Sequence, residues 1–199
     1  MSTMRRQRGF SLIEVAITLT IAALLMMAGL PSFQTWLQNT QIRNAAESIQ
    51  NGIQRARMEA VRGNRNVRFT LVALDDARNM DSSCAASAAG SSWVISLDAP
   101  DGECDAAPDG ATAPRIIETH AAGDGHLSAL IEATASSGAA ASTLTFNGFG
   151  RLTGADPISV VGISSVASGN YRNLRVAVSA AGAVRLCDPA VGADDPRSC

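Results

Sequence analysis

Arg5-Arg6-Gln7-Arg8-Gly9-Phe10-Ser11-Leu12-Ile13-Glu14 opens a stretch that runs on, apolar and almost unbroken, to Leu30. Three arginines precede the glycine, and Glu14 is the only charge between Phe10 and Leu30. At 1.5 Å per residue such a run makes a helix of about 30 Å, roughly the hydrocarbon thickness of a bilayer. The arginines would hold the N-terminus in the cytoplasm and send everything after Leu30 to the other side. A carboxylate deep in lipid costs about 2.5–3.5 kcal/mol. Glu14 therefore either serves a function inside the membrane or lies close enough to the surface to reach headgroups and water; the residues alone allow both.

Past Leu30 the chain stays helical in pattern. Gly29 and Pro31 mark the outer end of the apolar run, and Pro31 reads as a kink, because proline removes one helical hydrogen bond and the periodicity resumes at once. Phe33, Trp36 or Leu37, Ile42, Ala45, Ile49, Ile53, Ala56 and Ala60 recur at three- and four-residue intervals, with Arg43, Glu47, Gln50, Gln54 and Arg57 between them. This is an amphipathic helix with one stripe to bury. Arg62-Gly63-Asn64 reads as its glycine-terminated end.

The period then changes from helical to alternating. Strands are expected at 67–74, 93–97, 115–119, 127–133, 158–163, 174–178 and 183–187, with 75–91 and 99–113 as loops. Leu144 to Leu152 reads as a hairpin with Asn147-Gly148 as its tight turn. The sum is an α+β chain, one long N-terminal helix packed on an antiparallel β-sheet head.

Composition narrows the function. The chain has no lysine and a formal charge of −2, and removal of Arg5, Arg6 and Arg8 would make it more acidic. A bulk nucleic-acid binder is usually basic, so any such role needs a local arginine patch. Cys84, Cys104, Cys187 and Cys199 show no metal-ligand spacing. In an oxidising compartment they favour disulfides. Of the three pairings, Cys84 with Cys104 and Cys187 with Cys199 each close a short Asp-, Gly-, Ala- and Pro-rich loop; the alternative is that one pair stays reduced.

Gly9-Phe10-Ser11-Leu12-Ile13-Glu14 resembles the class III signal of type IV prepilins and pseudopilins. That resemblance implies cleavage by a prepilin peptidase between Gly9 and Phe10, N-methylation of Phe10, and pairing of Glu14 with the N-terminal amine of a neighbouring subunit during assembly. An ordinary secretory signal would end its apolar core in a cleavage site; here the glycine precedes the core, so the helix stays on the mature protein. Phe33 to Leu37, Ala56 to Ala60 and Asn66 to Leu71 are similar to the GspH/FimT family of type IV pilin-like proteins, and the likeness returns at the C-terminal end. It implies a type IV pilin-like fold: leader 1–9, transmembrane helix half 10–30, amphipathic half 31–63 and a β-rich head 64–199. It further implies an inner-membrane protein with a periplasmic head, and as partners the peptidase, other minor pilins and the major pilin, or pseudopilins.

His120 and His126 have no nucleophile or metal partner at usable spacing and read as surface or strand residues; Gly148 to Gly154 lacks phosphate-loop spacing. No enzyme and no cofactor is expected. Two classes of function remain. One is a filament subunit, a FimT/FimU-type minor pilin that primes or caps a type IV pilus, or a minor pseudopilin of type II secretion. Val184-Arg185-Leu186-Cys187-Asp188-Pro189 and Cys199 look more like the pilus branch. The other is a DNA receptor, since some FimT-like proteins bind DNA through a C-terminal Gly-Arg-x-Arg. The matching segment is Gly182-Ala183-Val184-Arg185, with Ala183 in the first arginine's place. Arg172, Arg175 and Arg185 are the candidate DNA contacts, with Arg197 nearby; the plainer reading has them solvated or bridging Asp188, Asp194 or Asp195.

Overall fold

The computed structural model describes residues 10–199 except residue 110, and side chains except those of 28–31. The leader and Gly9 lie outside the described residues, as does the side chain of Pro31. Among the described residues one helix, α1 (Leu12–Gly63), precedes ten strands, β1 (Val67–Ala73), β2 (Ala85–Ala86), β3 (Ser92–Ser96), β4 (Ile116–His120), β5 (Ala129–Ala135), β6 (Thr143–Phe146), β7 (Leu152–Thr153), β8 (Ile158–Ser165), β9 (Leu174–Val178) and β10 (Val184–Cys187). The chain divides into two compact units, Met1–Leu37 and Gln38–Cys199. The second half of the helix thus belongs with the head.

Among the described residues no single helix is long and apolar enough to cross a membrane. Leu12–Met27 and Ser32–Gly63 pass that test together, by length and composition.

In the head unit the helix buries Ile42, Ala45, Ala46, Ile49, Ile53, Ala56 and Ala60. The expected stripe starts one turn too early: Phe33, Trp36 and Leu37 are exposed. Alanines on the buried side let the sheets come close. Gly52 allows the closest approach, since a Cβ there would lie 2.8 Å from the Phe69 ring and 2.9 Å from the Trp93 ring.

The strands form two antiparallel sheets. One runs β4-β3-β1-β6-β7, with β2 also on β1, and the other runs β10-β9-β8-β5. Val67, Phe69 and Leu71 of β1 join the helix stripe in one core with Leu144, Phe146, Ile158, Val161, Ile163 and Val176. The other face of β1 carries Val72 into a smaller cluster with Val94, Ile116, Cys84 and Cys104. The short β2 lies in what the sequence reads as a loop; Ala85 and Ala86 have no alternation to announce it, and it pairs only with Val72 and Ala73.

Two turns differ from the sequence reading. Asn64, not Gly63, takes the left-handed conformation, φ 43°. Asn64 N–H bonds to Val61 O and Arg65 N–H to Ala60 O, the paired bonds of a Schellman cap, in which asparagine is glycine's usual substitute. The β6–β7 connection is five residues long, and Gly150 rather than Gly148 has the positive φ, 71°. Asn147 works through its side chain, accepting from the N–H groups of Phe149 and Arg151. Gly148 is there for closeness: a Cβ would meet Asn64 Oδ1 at 2.4 Å.

Candidate functional site

The first candidate is the start of α1. Phe10 and the large apolar side chains through Met27 are exposed, with Leu25 at 69%. The hydroxyls of Thr18 and Thr20 donate to the carbonyls of Val15 and Ile17, at 3.0 and 2.8 Å. Bonding back to the helix in this way leaves no unsatisfied hydroxyl donor in an apolar surround. Glu14, in the first turn, is the one carboxylate of the segment. The surface offered to neighbours is therefore a greasy rod with a single acid near its start.

The second candidate is the C-terminal arginine group, on the sheet of β8, β9 and β10. Val176 and Val178 point to the core, so Arg175 and Arg185 share the outer face, where Arg185 pairs across to Ala177 and Arg175 to Cys187. Both are exposed. Arg185 Nη2 donates to the Ser198 carbonyl. Arg172 is not free: its Nε donates to buried Asp188 Oδ2 at 2.6 Å. Arg197 is paired in the same way with Asp195 at 2.7 Å. The Ala190 backbone N–H first, then the Arg172 guanidinium, hold the Asp188 carboxyl below the usual carboxylate range. Arg197 draws Asp195 down to about 2. The structure thus gathers the candidate arginines but neutralises two of the surrounding group locally.

Gly182 of the motif segment has a structural task. Its φ is 82°, and a Cβ would stand 2.0 Å from the Gly150 carbonyl oxygen. Arg57 of the helix donates to that same carbonyl at 3.0 Å, and Leu152 N–H reaches Ala180 O. The β6–β7 and β9–β10 turns therefore lock together on the helix.

Two disulfides pin the long loops, Cys84 to Cys104 and Cys187 to Cys199. Asp188 N–H and Arg197 O extend the second staple, so the C-terminal tail lies beside β10.

His120 ends β4, a strand residue as the sequence reads, but His126 is placed differently. Phe69, Trp93, His120 and His126 form a column of rings, with successive centroids 5.7, 5.2 and 5.6 Å apart. His126 is buried, and its Nε2 donates to the Ser91 carbonyl at 3.1 Å. Burial pushes its pKa down. Among the described residues no cluster of metal-ligating side chains occurs.

Residues 4–30 match the family model for the prokaryotic N-terminal methylation motif, and residues 45–182 match that for the type II transport protein GspH. The second match spans well over half of the chain. The chain belongs to the GspH family. The long helix followed by an antiparallel head is the type IV pilin-like fold, and members of this family are structural subunits that assemble with other pilins or pseudopilins. Anchoring in the membrane goes with the methylation motif and the family. Two crystal structures of the type IV minor pilin FimU of Pseudomonas aeruginosa are similar to this GspH-family chain. One is 19% identical over 72% of this chain and 90% of that one, with a TM-score of 0.44. The other is 23% identical over 73% and 87%, with a TM-score of 0.43. No curated protein matches the chain.

Proposed function

We propose that this chain is a minor pilin that helps to prime or cap a type IV pilus. It is cleaved after Gly9 by a prepilin peptidase, methylated at Phe10, and held in the inner membrane by residues 10–30 with its head in the periplasm. The observation that carries the reading is the split behaviour of α1. Its first half exposes an apolar surface with one acid, and its second half is consumed by the head. An exposed apolar rod of that kind is satisfied by lipid or by like helices. The test is surface pilus yield in a strain that lacks the gene and cannot retract pili. Loss or a sharp fall is expected; normal yield would overturn the reading.

A type II secretion pseudopilin is the second reading, favoured by the family description itself. The same deletion strain separates the two: lost secretion with intact pili would establish it.

DNA contact is the weaker proposal, confined by the ion pairs to Arg175 and Arg185. Two phosphate contacts give a log affinity against log salt slope of at most about 2 in magnitude. Titration of the chain with short duplex DNA at two salt concentrations reads that slope, and salt-independent or absent binding ends the idea.

A further inference from the structure

We infer that the Phe149 end of the head is a docking surface for a second copy of this chain, whose acidic Cys84–Cys104 loop it receives. The inference rests on the filament-subunit reading but names a contact that the reading does not supply.

Phe149 is 85% exposed, yet its turn is held on several sides. Asn147 bonds the turn on both sides of it, Gly148 abuts Asn64, and Gly150 abuts Arg57 and Val61. A large apolar side chain fixed in water loses little entropy when it binds, which is the profile of an interface anchor. Its surroundings fit the same profile. Val61 is exposed beside it, and Arg57, Arg62, Arg65 and Arg151 are exposed around it. Glu59, on the same end of the helix, is buried and already paired with Arg62 and Arg55, at 2.5 and 3.5 Å. This end of the head is therefore positive around an aromatic centre.

The occupant follows from charge complementarity within the chain. Residues 75–109 contain eight carboxylates against the single Arg78. Glu103 and Asp105 are exposed on either side of buried Cys104, so the staple to Cys84 fixes where they stand. This loop covers the face of β1 and β3 turned away from the helix core, whereas Phe149 sits at the helix end. Two complementary patches on different faces cannot satisfy each other within one subunit. Between copies they make a heterologous contact, the kind that continues as a helical array.

The test uses the full chain in detergent micelles, followed by sedimentation at low and high salt. Wild type is expected to self-associate, less so at high salt. Phe149→Ala weakens association, and Arg65→Glu with Arg151→Glu, or Glu103→Arg with Asp105→Arg, each weaken it about tenfold or more. Mixing the two charge-reversed proteins restores it, because each then offers the other a complementary patch; misfolded protein could not. A wild type that stays monomeric, or reversals that leave association unchanged, or a mixture that does not recover, overturns the inference. So does loss of single-stranded oligonucleotide binding on Phe149→Ala with self-association intact. Any of these failures leaves the pilus-yield test of the minor-pilin reading untouched.

Discussion

The two halves of α1 are made of similar residues and do opposite things. Leu12–Met27 spends leucine, isoleucine and methionine on a surface the chain does not cover. Ile42 to Ala60 uses isoleucine and alanine, and not one of the stripe residues is left in water. Hydrophobicity alone does not separate them. The polar residues between the apolar ones do: Arg43, Glu47, Gln54 and Arg57 confine the second stripe to one face, and only such a stripe can lie on a sheet. The first half is apolar all round and has no single face to lay on a sheet.

Glu14→Ala is expected to give the largest functional loss and no loss of stability. Incorporation into filaments should fall to background, because the one acid of the exposed rod is gone, while thermal melting of the head is unchanged. Immunoblotting of sheared filaments reads the first and a melt reads the second. A lower melting temperature would mean that the halves are not separable in this way.

Ile53→Ala should do the reverse. It removes a fully buried side chain from the core, at a cost of about 2–5 kcal/mol. Leu25→Ala, on the exposed half, should change the unfolding midpoint of the head by less than about 0.5 kcal/mol. Denaturant melts of both variants in micelles sharpen the comparison, and equal effects would break it. Replacing Cys84 and Cys104 by serine should cost about 3 kcal/mol for a closed loop of this size. That loss belongs wholly to the head, so membrane association of the variant should match wild type.

The long-range plan was legible in the sequence because it is written in periodicity. The helix, nearly every strand and the α+β class follow from where the apolar residues recur. What was not legible depends on contacts between distant segments. Asn64 rather than Gly63 takes the capping conformation, and Gly148 of the distant β6–β7 turn lies against it. Phe33 and Trp36 keep the helical rhythm but are exposed. The sequence offers Asp188, Asp194 and Asp195 alike as partners for the arginines; the fold pairs Arg172 with Asp188 and so takes it out of the arginine group. The ring column joins residues from three strands and a loop, which no local pattern announces.

That column carries the smallest predicted effect, and it too belongs to the head. His126 is buried and donates to the Ser91 carbonyl, so its neutral form suits the folded state, and burial holds its pKa below the ordinary value of 6.5. The unfolded chain then binds the proton first as pH falls. The stability contributed is fully present above about pH 6.5 and is lost as pH falls below it, toward the lowered folded pKa. Stacked His120 adds to the cost of a second positive ring, and Asp124 opposes it. The stability that lowered Asp188 and Asp195 contribute is present above the usual carboxylate range and lost only below it, so neither adds to the slope from about pH 8 to about pH 5. Melting temperature measured from about pH 8 to about pH 5 should therefore decline below about 6.5 in wild type and decline less in His126→Gln, which keeps a donor but cannot titrate. Parallel profiles for the two proteins would show that the buried ring is not what the head senses.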